Sequence, residues 1–322
     1  MHSHLKKITL ATATLLFAGS AIAASDYPSK PVRIIVPYQA GQGTDIATRY
    51  FADHLSKAFG QSFIVENIGG AGGVIGTQAA ARAEGDGYTL AMGTNATHVL
   101  NEYMYSSIGF DPVKDFEPVI LTGTLPMTIV TRPDSEFKTV QDIIEATKKS
   151  DHAADIATPS TTARLVFELL KDQSGAPLFM IPYKGSSMAM SNVIGGQVPL
   201  SIDTITASRP QVEGGNLRAI AVTSANPTDL LPGVPPVAQQ GVPGFEVVAW
   251  NAFYAPKGTP ADIIAKLNLE LQSFLALPET QAKLHSMGYE PGGGTPGDLA
   301  SFAEAERQKW RPIIENAGLK VN

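Results

Sequence analysis

The fold class is decided by the stretch Val32-Arg33-Ile34-Ile35-Val36-Pro37-Tyr38-Gln39-Ala40-Gly41-Gln42-Gly43-Thr44-Asp45. Its apolar start, Val32–Val36, predicts a buried strand. The spacing of apolar residues over Thr44–Gly60 predicts a helix. A helix that starts directly after such a loop presents free N–H groups and the positive end of its dipole, which suit an anion. Gly41 and Gly43 allow the backbone to approach that anion closely.

The loop does not match the two common phosphate-binding motifs. No Gly-Lys-Ser/Thr sequence follows it, and Ile46 occupies the last glycine position of a dinucleotide-binding motif. The sequence therefore favours a carboxylate over a nucleotide phosphate.

The N-terminal residues predict an export signal. Lys6 and Lys7 precede the apolar run Ile8–Ala18, and Ala21-Ile22-Ala23 has the small residues of a cleavage site. We expect a signal peptide over residues 1–24 and a mature protein in the periplasm. No cysteine follows the site, so a lipid anchor is not expected.

Composition narrows the class of protein. The chain has 322 residues, which suits two domains, and a formal net charge of −6, which argues against nucleic acid as a partner. It has no cysteine, its histidines lack metal-binding spacing, and it contains no Gly-x-Ser-x-Gly sequence. We therefore expect neither a metal nor a cofactor and find no sign of an enzyme. We also expect the protein to be a monomer.

Strand and helix patterns alternate along the chain, which predicts a parallel sheet with helices on both faces. Ligands of such folds lie beyond the carboxyl ends of the strands. The opening loop lies at one such end, and a second end, Gly93–Thr97, adds Thr94. Two further strands, Glu117–Gly123 and Met127–Thr131, are predicted with a break at Pro126 between them.

The domain boundaries are predicted near Gly123–Pro126 and Phe245–Ala249. Lobe 1 would then be discontinuous, with residues 25–124 and 249–322, and lobe 2 would comprise residues 125–248. Two crossings between lobes suit a hinged clamshell. The alternative is a pair of tandem domains joined by one linker.

The second half contains a similar strand-to-helix loop. Ser160, Thr161 and Thr162 offer hydroxyls at a helix start, either for an anion or for ordinary capping. Arg164, one turn later, either grips a carboxylate in two places or is solvated. Asp203, at a strand end, either accepts from a ligand hydroxyl or amine, or caps a helix.

The chain resembles a known family over essentially the whole mature sequence. The matching stretches are Tyr27–Arg33, Val36–Tyr38, Gly43–Asp45, Gly69–Gly76, Asp86–Thr89, Phe110–Phe116, Pro182–Ser186, Val193–Val198, Leu217–Ser224 and Pro243–Phe245. They are similar to the Bug or TctC family, the extracytoplasmic solute receptors of tripartite tricarboxylate transporters. The resemblance implies an α/β, two-lobed type II periplasmic-binding-protein fold with a ligand cleft between lobes. It also implies clamshell closure on a carboxylate and delivery to membrane transporter subunits.

The resemblance also implies which residues bind. The family's equivalent of Tyr38–Asp45 holds one ligand carboxylate through N–H groups and waters, and loops equivalent to Thr158–Arg164 and near Asp203 complete the site. The predicted ligand-binding set is Tyr38, Gln39, Gly41, Gln42, Gly43, Thr44, Asp45, Thr94, Ser160, Thr161, Thr162, Arg164 and Asp203, with Tyr38 either flanking the ligand body or filling core space.

Two departures from the family pattern concern the ligand. The first loop usually reads Pro-Pro-Gly-Gly-Gly-Thr-Asp, whereas here Gln39 and Gln42 add side-chain amides. Arg164 stands where histidine is common, which favours a dicarboxylate. Aromatic diacids such as a phthalate isomer, aliphatic C4–C6 diacids and citrate all stay open. Two rival functions also stay open: an exported hydrolase or transferase using the same anion site, and a ligand-presenting co-receptor of a sensor kinase.

Overall fold

The computed structural model describes residues 27–320, so the predicted signal peptide lies outside the described residues. Within this range the strands are β1 Val32–Val36, β2 Phe63–Asn67, β3 Thr89–Thr94, β4 Phe116–Thr131, β5 Ile156–Thr158, β6 Met180–Pro182, β7 Leu200–Thr204, β8 Arg218–Val222, β9 Val248–Pro256 and β10 Glu290–Gly293. The α-helices are α1 Gly43–Phe59, α2 Val74–Ala81, α3 Asn101–Met104, α4 Val140–Lys149, α5 Thr161–Ser174, α6 Ser186–Ile194, α7 Ile205–Glu213, α8 Ala261–Leu275, α9 Pro278–Ser286 and α10 Pro296–Asn316. A π-helical turn, Ala96–Leu100, leads into α3.

The strands form one mixed sheet in the order β2-β1-β3-β9-β4-β7-β5-β6, with β8 and β10 also pairing with β4. The strands β1, β2 and β3 are mutually parallel, and so are β5, β6 and β7. By contrast, β9 is antiparallel to both β3 and β4. The prediction of a wholly parallel sheet is therefore wrong, because β4 and β9 run along each other in opposite directions between the two parallel groups.

The long strand β4 belongs to both groups. Up to Pro126 it pairs with β9, and from Met127 onward it pairs with β7 and β8. We call β2, β1, β3, β9, β10 and the first part of β4 the N-terminal sheet region, and the remaining strands the central sheet region. The predicted break at Pro126 is wrong, because β4 continues through this residue. Proline lacks an N–H group, and it is tolerated here because Pro126 is the last residue of β4 that pairs with β9. The lobe boundaries at residues 124/125 and 248/249 stay a prediction.

The packing of α1 fixes the start of this helix beside the end of β1. Its side chains Ala47, Phe51 and Leu55 are fully buried at helical spacing. The Phe51 ring lies edge-on to Phe253 of β9, with 6.0 Å between the ring centroids. The loop between β1 and α1 is thus held between two buried elements.

One structural feature was not predicted from the sequence. β10 contains two glycines and a proline and pairs with β4 over Leu121–Thr124. Such a strand has no apolar alternation, so local patterns do not reveal it. Within residues 27–320 no helix has the length and apolar character to cross a membrane.

Candidate functional site

Four helices begin around one cleft between the two sheet regions. The residues that line it near a helix start are Gly43 and Thr44 on α1, Ser160 and Thr162 on α5, Ser186 on α6, and Thr204 on α7. Each start carries backbone N–H groups without an intrahelical partner and the positive end of a helix dipole. Their convergence favours an anion in the cleft, although the described lining residues include no lysine or arginine.

Four polar side chains complete this lining. Among the described residues, Asn95 Nδ2, Ser186 Oγ, Asp203 Oδ2 and Asn251 Nδ2 are buried and have no hydrogen-bond partner. We call these atoms the polar quartet. A buried polar atom without a partner costs about 1–3 kcal/mol, and four around one cavity indicate a site built for a polar ligand or for ordered water.

The space at the polar quartet is small. We call it the inner cavity, and its volume is about 30 Å³. This volume holds roughly two water molecules. The inner cavity therefore suits one carboxylate group better than a whole organic acid.

A larger cavity adjoins it. This outer cavity has a volume of about 480 Å³. Its wall contains Arg164 and Lys184, and its described lining residues include no carboxylate. The glycine-rich loop of residues 69–73 forms one side of it. Tyr38 and Ser160 line both cavities, so the two spaces are neighbours.

The side chain of Tyr38 is fixed between the cavities. Its hydroxyl shares a hydrogen bond of 2.8 Å with Thr94 Oγ1, and the residue is 8 % exposed. Burial raises the pKa of Tyr38, so it is a neutral phenol at any physiological pH. Tyr38 is thus an uncharged residue that forms part of the wall of both cavities.

The acid Asp203 has an unusual environment. Its Oδ1 accepts a hydrogen bond of 2.8 Å from the Thr204 N–H, whereas Oδ2 belongs to the polar quartet. Burial raises the pKa of Asp203 to about 7, even though the hydrogen bond from Thr204 acts in the opposite direction. The carboxyl group therefore keeps its proton to a higher pH than an exposed aspartate, and it can donate to a ligand oxygen when protonated or accept from a ligand hydroxyl when ionised.

Hydrogen bonds cross the cleft beside the cavities. Gln42 Nε2 donates to the Pro159 carbonyl over 3.1 Å, and Thr162 Oγ1 donates to Asn95 Oδ1 over 3.2 Å. Both bonds are buried and join the N-terminal sheet region to the loop and helix that follow β5. They connect the two sides of the cleft.

The structure divides the predicted site residues into three groups. The inner cavity is lined by Tyr38, Gln42, Gly43, Thr44, Thr94, Ser160, Thr162 and Asp203, and the outer cavity by Tyr38, Gln39, Ser160, Thr161 and Arg164. Gly41 and Asp45 are described but line neither cavity. Asp45 instead accepts from the Gly41 N–H and Asn67 Nδ2 and pairs with Arg49, so it shapes the loop.

The guanidinium of Arg164 has partners other than a ligand. Its NH2 group donates to the Lys320 carbonyl over 2.8 Å, and its Nε lies 3.7 Å from Glu168 Oε1. This Nε has no hydrogen-bond partner among residues 27–320. Arg164 thus stands at the wall of the outer cavity with part of its donor capacity unused.

Three members of the polar quartet, Asn95, Ser186 and Asn251, were missing from the site predicted from the sequence. Asn95 and Ser186 lie in turns whose polar character was visible, but nothing local separated them from their neighbours. Asn251 is a buried asparagine in the otherwise apolar β9, opposite Thr94 of β3, and accepts from Thr44 Oγ1 over 3.2 Å. A polar residue within such a strand was the signal that could have identified it. Within the described chain, no cluster of three or more His, Cys, Asp or Glu residues could hold a metal.

Known proteins are similar to this chain in sequence and in fold. The family model of the tripartite tricarboxylate transporter family receptor, TctC, matches residues 47–319. Rpa4515 of R. palustris, solved with adipate, is 34 % identical with a TM-score of 0.88, over 92 % of this chain and 100 % of that one. The periplasmic binding protein BugD is 34 % identical with a TM-score of 0.86 over the same shares. MatC from Rhodopseudomonas palustris, with bound malate, is 27 % identical with a TM-score of 0.84, over 89 % of this chain and 100 % of that one.

Proposed function

This chain belongs to the TctC family of tripartite tricarboxylate transporter receptors, and from that premise we propose that it captures a dicarboxylate in the periplasm and hands it to a membrane transporter. Membership confirms the resemblance identified in the sequence and the α/β, two-lobed periplasmic-binding-protein fold. Its relatives are solute-binding proteins and not enzymes, so the hydrolase or transferase alternative is set aside.

The observation that supports an anionic ligand is the convergence of four helix starts on the polar quartet. A carboxylate in the inner cavity would accept from the N–H groups at the starts of α1 and α5, and from the donors Asn95 and Asn251. Charge-assisted hydrogen bonds of this kind contribute about 1.5–3 kcal/mol each when they replace unsatisfied donors. The site thereby binds an anion without a lysine or arginine in direct contact.

The size of the inner cavity supports a ligand with two ends. It accommodates about one carboxylate, so the ligand body passes Tyr38 toward the outer cavity, where Arg164 and Lys184 supply positive charge. Adipate and malate, found in two of the similar structures, are both dicarboxylates. A C4–C6 aliphatic diacid, citrate and an aromatic diacid each have this pattern of charge.

In this proposal, the protein delivers its ligand to the transporter after its two lobes close on that ligand. Residues 25–124 with 249–322, and residues 125–248, act as two lobes that close on the ligand, because the bound ligand contacts both. The transporter subunits would recognise the closed lobes, and the N-terminal segment would direct export before cleavage. Presentation of the ligand to a sensor kinase would use the same closed form, and deletion of the gene would separate the two roles by its effect on uptake and on gene induction.

The ligand class is tested by calorimetry and thermal shift on the mature protein, unfolded and refolded first to remove any bound ligand. Monocarboxylates, diacids from C3 to C6, phthalate isomers and citrate form the panel. Binding of one diacid class, with monocarboxylates at least tenfold weaker, is the expected result. If no carboxylate binds, the proposed ligand class is wrong.

A further inference from the structure

The side chain of Gln42 reaches from the inner cavity to a residue of the outer cavity. Gln42 lines the inner cavity, and its bonding partner Pro159 lines the outer cavity. The hydrogen bond between Gln42 Nε2 and the Pro159 carbonyl therefore lies at the boundary of the two spaces. Because Gln42 is only 6 % exposed, its amide occupies volume that a ligand would otherwise use.

We infer that Gln42 is a partition that selects the ligand by length. The inference rests on the proposed binding of diacids in these cavities. A short diacid places its second carboxylate just past Tyr38, at the entrance of the outer cavity, and leaves the Gln42–Pro159 bond intact. A longer diacid must carry its chain further into the outer cavity, so it breaks this bond and displaces the amide.

Long diacids have an energetic cost that short diacids avoid, and this cost arises because the Gln42–Pro159 hydrogen bond is buried. When the bond breaks, the Pro159 carbonyl and the Gln42 amide both lose a buried partner, and the ligand's apolar chain cannot replace it. Each extra methylene of the ligand gains apolar contacts in the outer cavity. The cost of breaking the Gln42–Pro159 hydrogen bond arises only once, when the ligand chain becomes long enough to displace the Gln42 side chain. The wild-type protein should therefore prefer short diacids over long ones more strongly than a protein without the side chain.

The helix start does not depend on this side chain. Gln42 precedes α1 with φ −75° and ψ 156°, and its side chain makes no capping hydrogen bond. Glycine is accepted at this position of a helix at a cost of only a few tenths of a kcal/mol relative to the best capping residues. Gln42→Gly thus removes the partition and leaves the helix in place, whereas Gln42→Met removes the hydrogen bond and keeps the bulk.

A control variant separates the partition from closure in general. Arg209 NH1 donates to the His285 carbonyl over 2.7 Å and thereby joins α7, which follows β7, to α9, which precedes β10. Arg209 is not among the described residues that line either cavity. Arg209→Gln should therefore change the affinity for every ligand by a similar factor.

The experiment measures dissociation constants of malonate, succinate, glutarate and adipate for the wild type and the three variants, with melting temperatures as a check on folding. We expect Gln42→Gly to raise the adipate-to-malonate affinity ratio about threefold to tenfold, Gln42→Met to change it less, and Arg209→Gln to leave it unchanged. An unchanged ratio in folded Gln42→Gly, with diacid binding retained in the wild type, overturns the partition alone. Absence of diacid binding in all four proteins overturns both the partition and the proposed function.

Discussion

Thr162 Oγ1 donates a hydrogen bond of 3.2 Å to Asn95 Oδ1, and this bond determines what Asn95 offers to a ligand. Because Oδ1 accepts from Thr162, the other half of the amide, Nδ2, is left as a donor of the polar quartet. One contact therefore joins the two sides of the cleft and also orients a donor for an anion.

Asn95→Asp tests this arrangement. The substitution keeps the shape of the side chain but replaces the Nδ2 donor by a carboxylate oxygen, which repels an anionic ligand. We expect the affinity for any bound diacid to fall by more than tenfold at pH 7.5 in calorimetry. Asn268→Asp is the control, because Asn268 Nδ2 donates to Val119 and Gly294 carbonyls outside the cavities. It should lower the melting temperature and leave the affinity unchanged, and equal losses in both variants would contradict a ligand-binding role for Asn95.

Gly43→Ala tests whether close approach of α1 to α7 is needed for binding. A Cβ at Gly43 would lie 2.5 Å from Thr204 Oγ1 and 3.2 Å from Thr206 Cβ, so the start of α7 must move away. We expect affinity to fall at least tenfold with a small change in the melting temperature of the ligand-free protein. Gly60→Ala gives the opposite pattern, because Gly60 has φ +66° at the end of α1, where a side chain costs about 1 kcal/mol of stability but touches no part of the site. Identical behaviour of the two variants would contradict the prediction.

The sequence predicts well the parts of the site that depend on local order. The run from Val32 to Asp45 contains an apolar strand, two glycines and the apolar spacing of α1, and each signal acts within a few residues. Asn251 could not be placed in the same way, because its neighbours Thr94 and Gly123 come from strands more than 120 residues away in the chain. The register of antiparallel β9 decides this contact, and register depends on long-range pairing. Pro126 shows the same limit, since whether a proline ends a strand depends on which partner it faces.

The raised pKa of Asp203 predicts a dependence of stability on pH. The folded protein keeps the Asp203 proton up to about pH 7, whereas the unfolded chain releases it near pH 4. The folded state therefore binds more protons between these values, so this contribution to stability is complete below about pH 4 and is lost as the pH rises to 7.

Asp203→Asn should remove that loss. Relative to wild type, the variant should gain roughly 2–4 kcal/mol in the free energy of unfolding between pH 4 and pH 7.5, measured by urea denaturation without ligand. Asp53→Asn, at an exposed carboxylate on α1, should follow the wild-type curve. A wild-type curve parallel to that of Asp203→Asn would show that Asp203 is ionised in the folded protein throughout this range.

Arg164 can contribute to the proposed site in two physically different ways. As a ligand contact, it would use its positive charge at the wall of the outer cavity to hold a second carboxylate. As a structural contact, it would act through its bond to the Lys320 carbonyl, which links α5 to the segment after α10.

Arg164→Ala separates these roles, because a contact with the second carboxylate matters only to ligands that have one. We expect diacid affinity to fall more than tenfold while monocarboxylate affinity, measured by calorimetry at high ligand concentration, changes less than twofold. Equal losses for both classes would show that Arg164 stabilises closure and does not read the ligand, and the distal carboxylate would then have Lys184 as its nearest cation in the outer cavity.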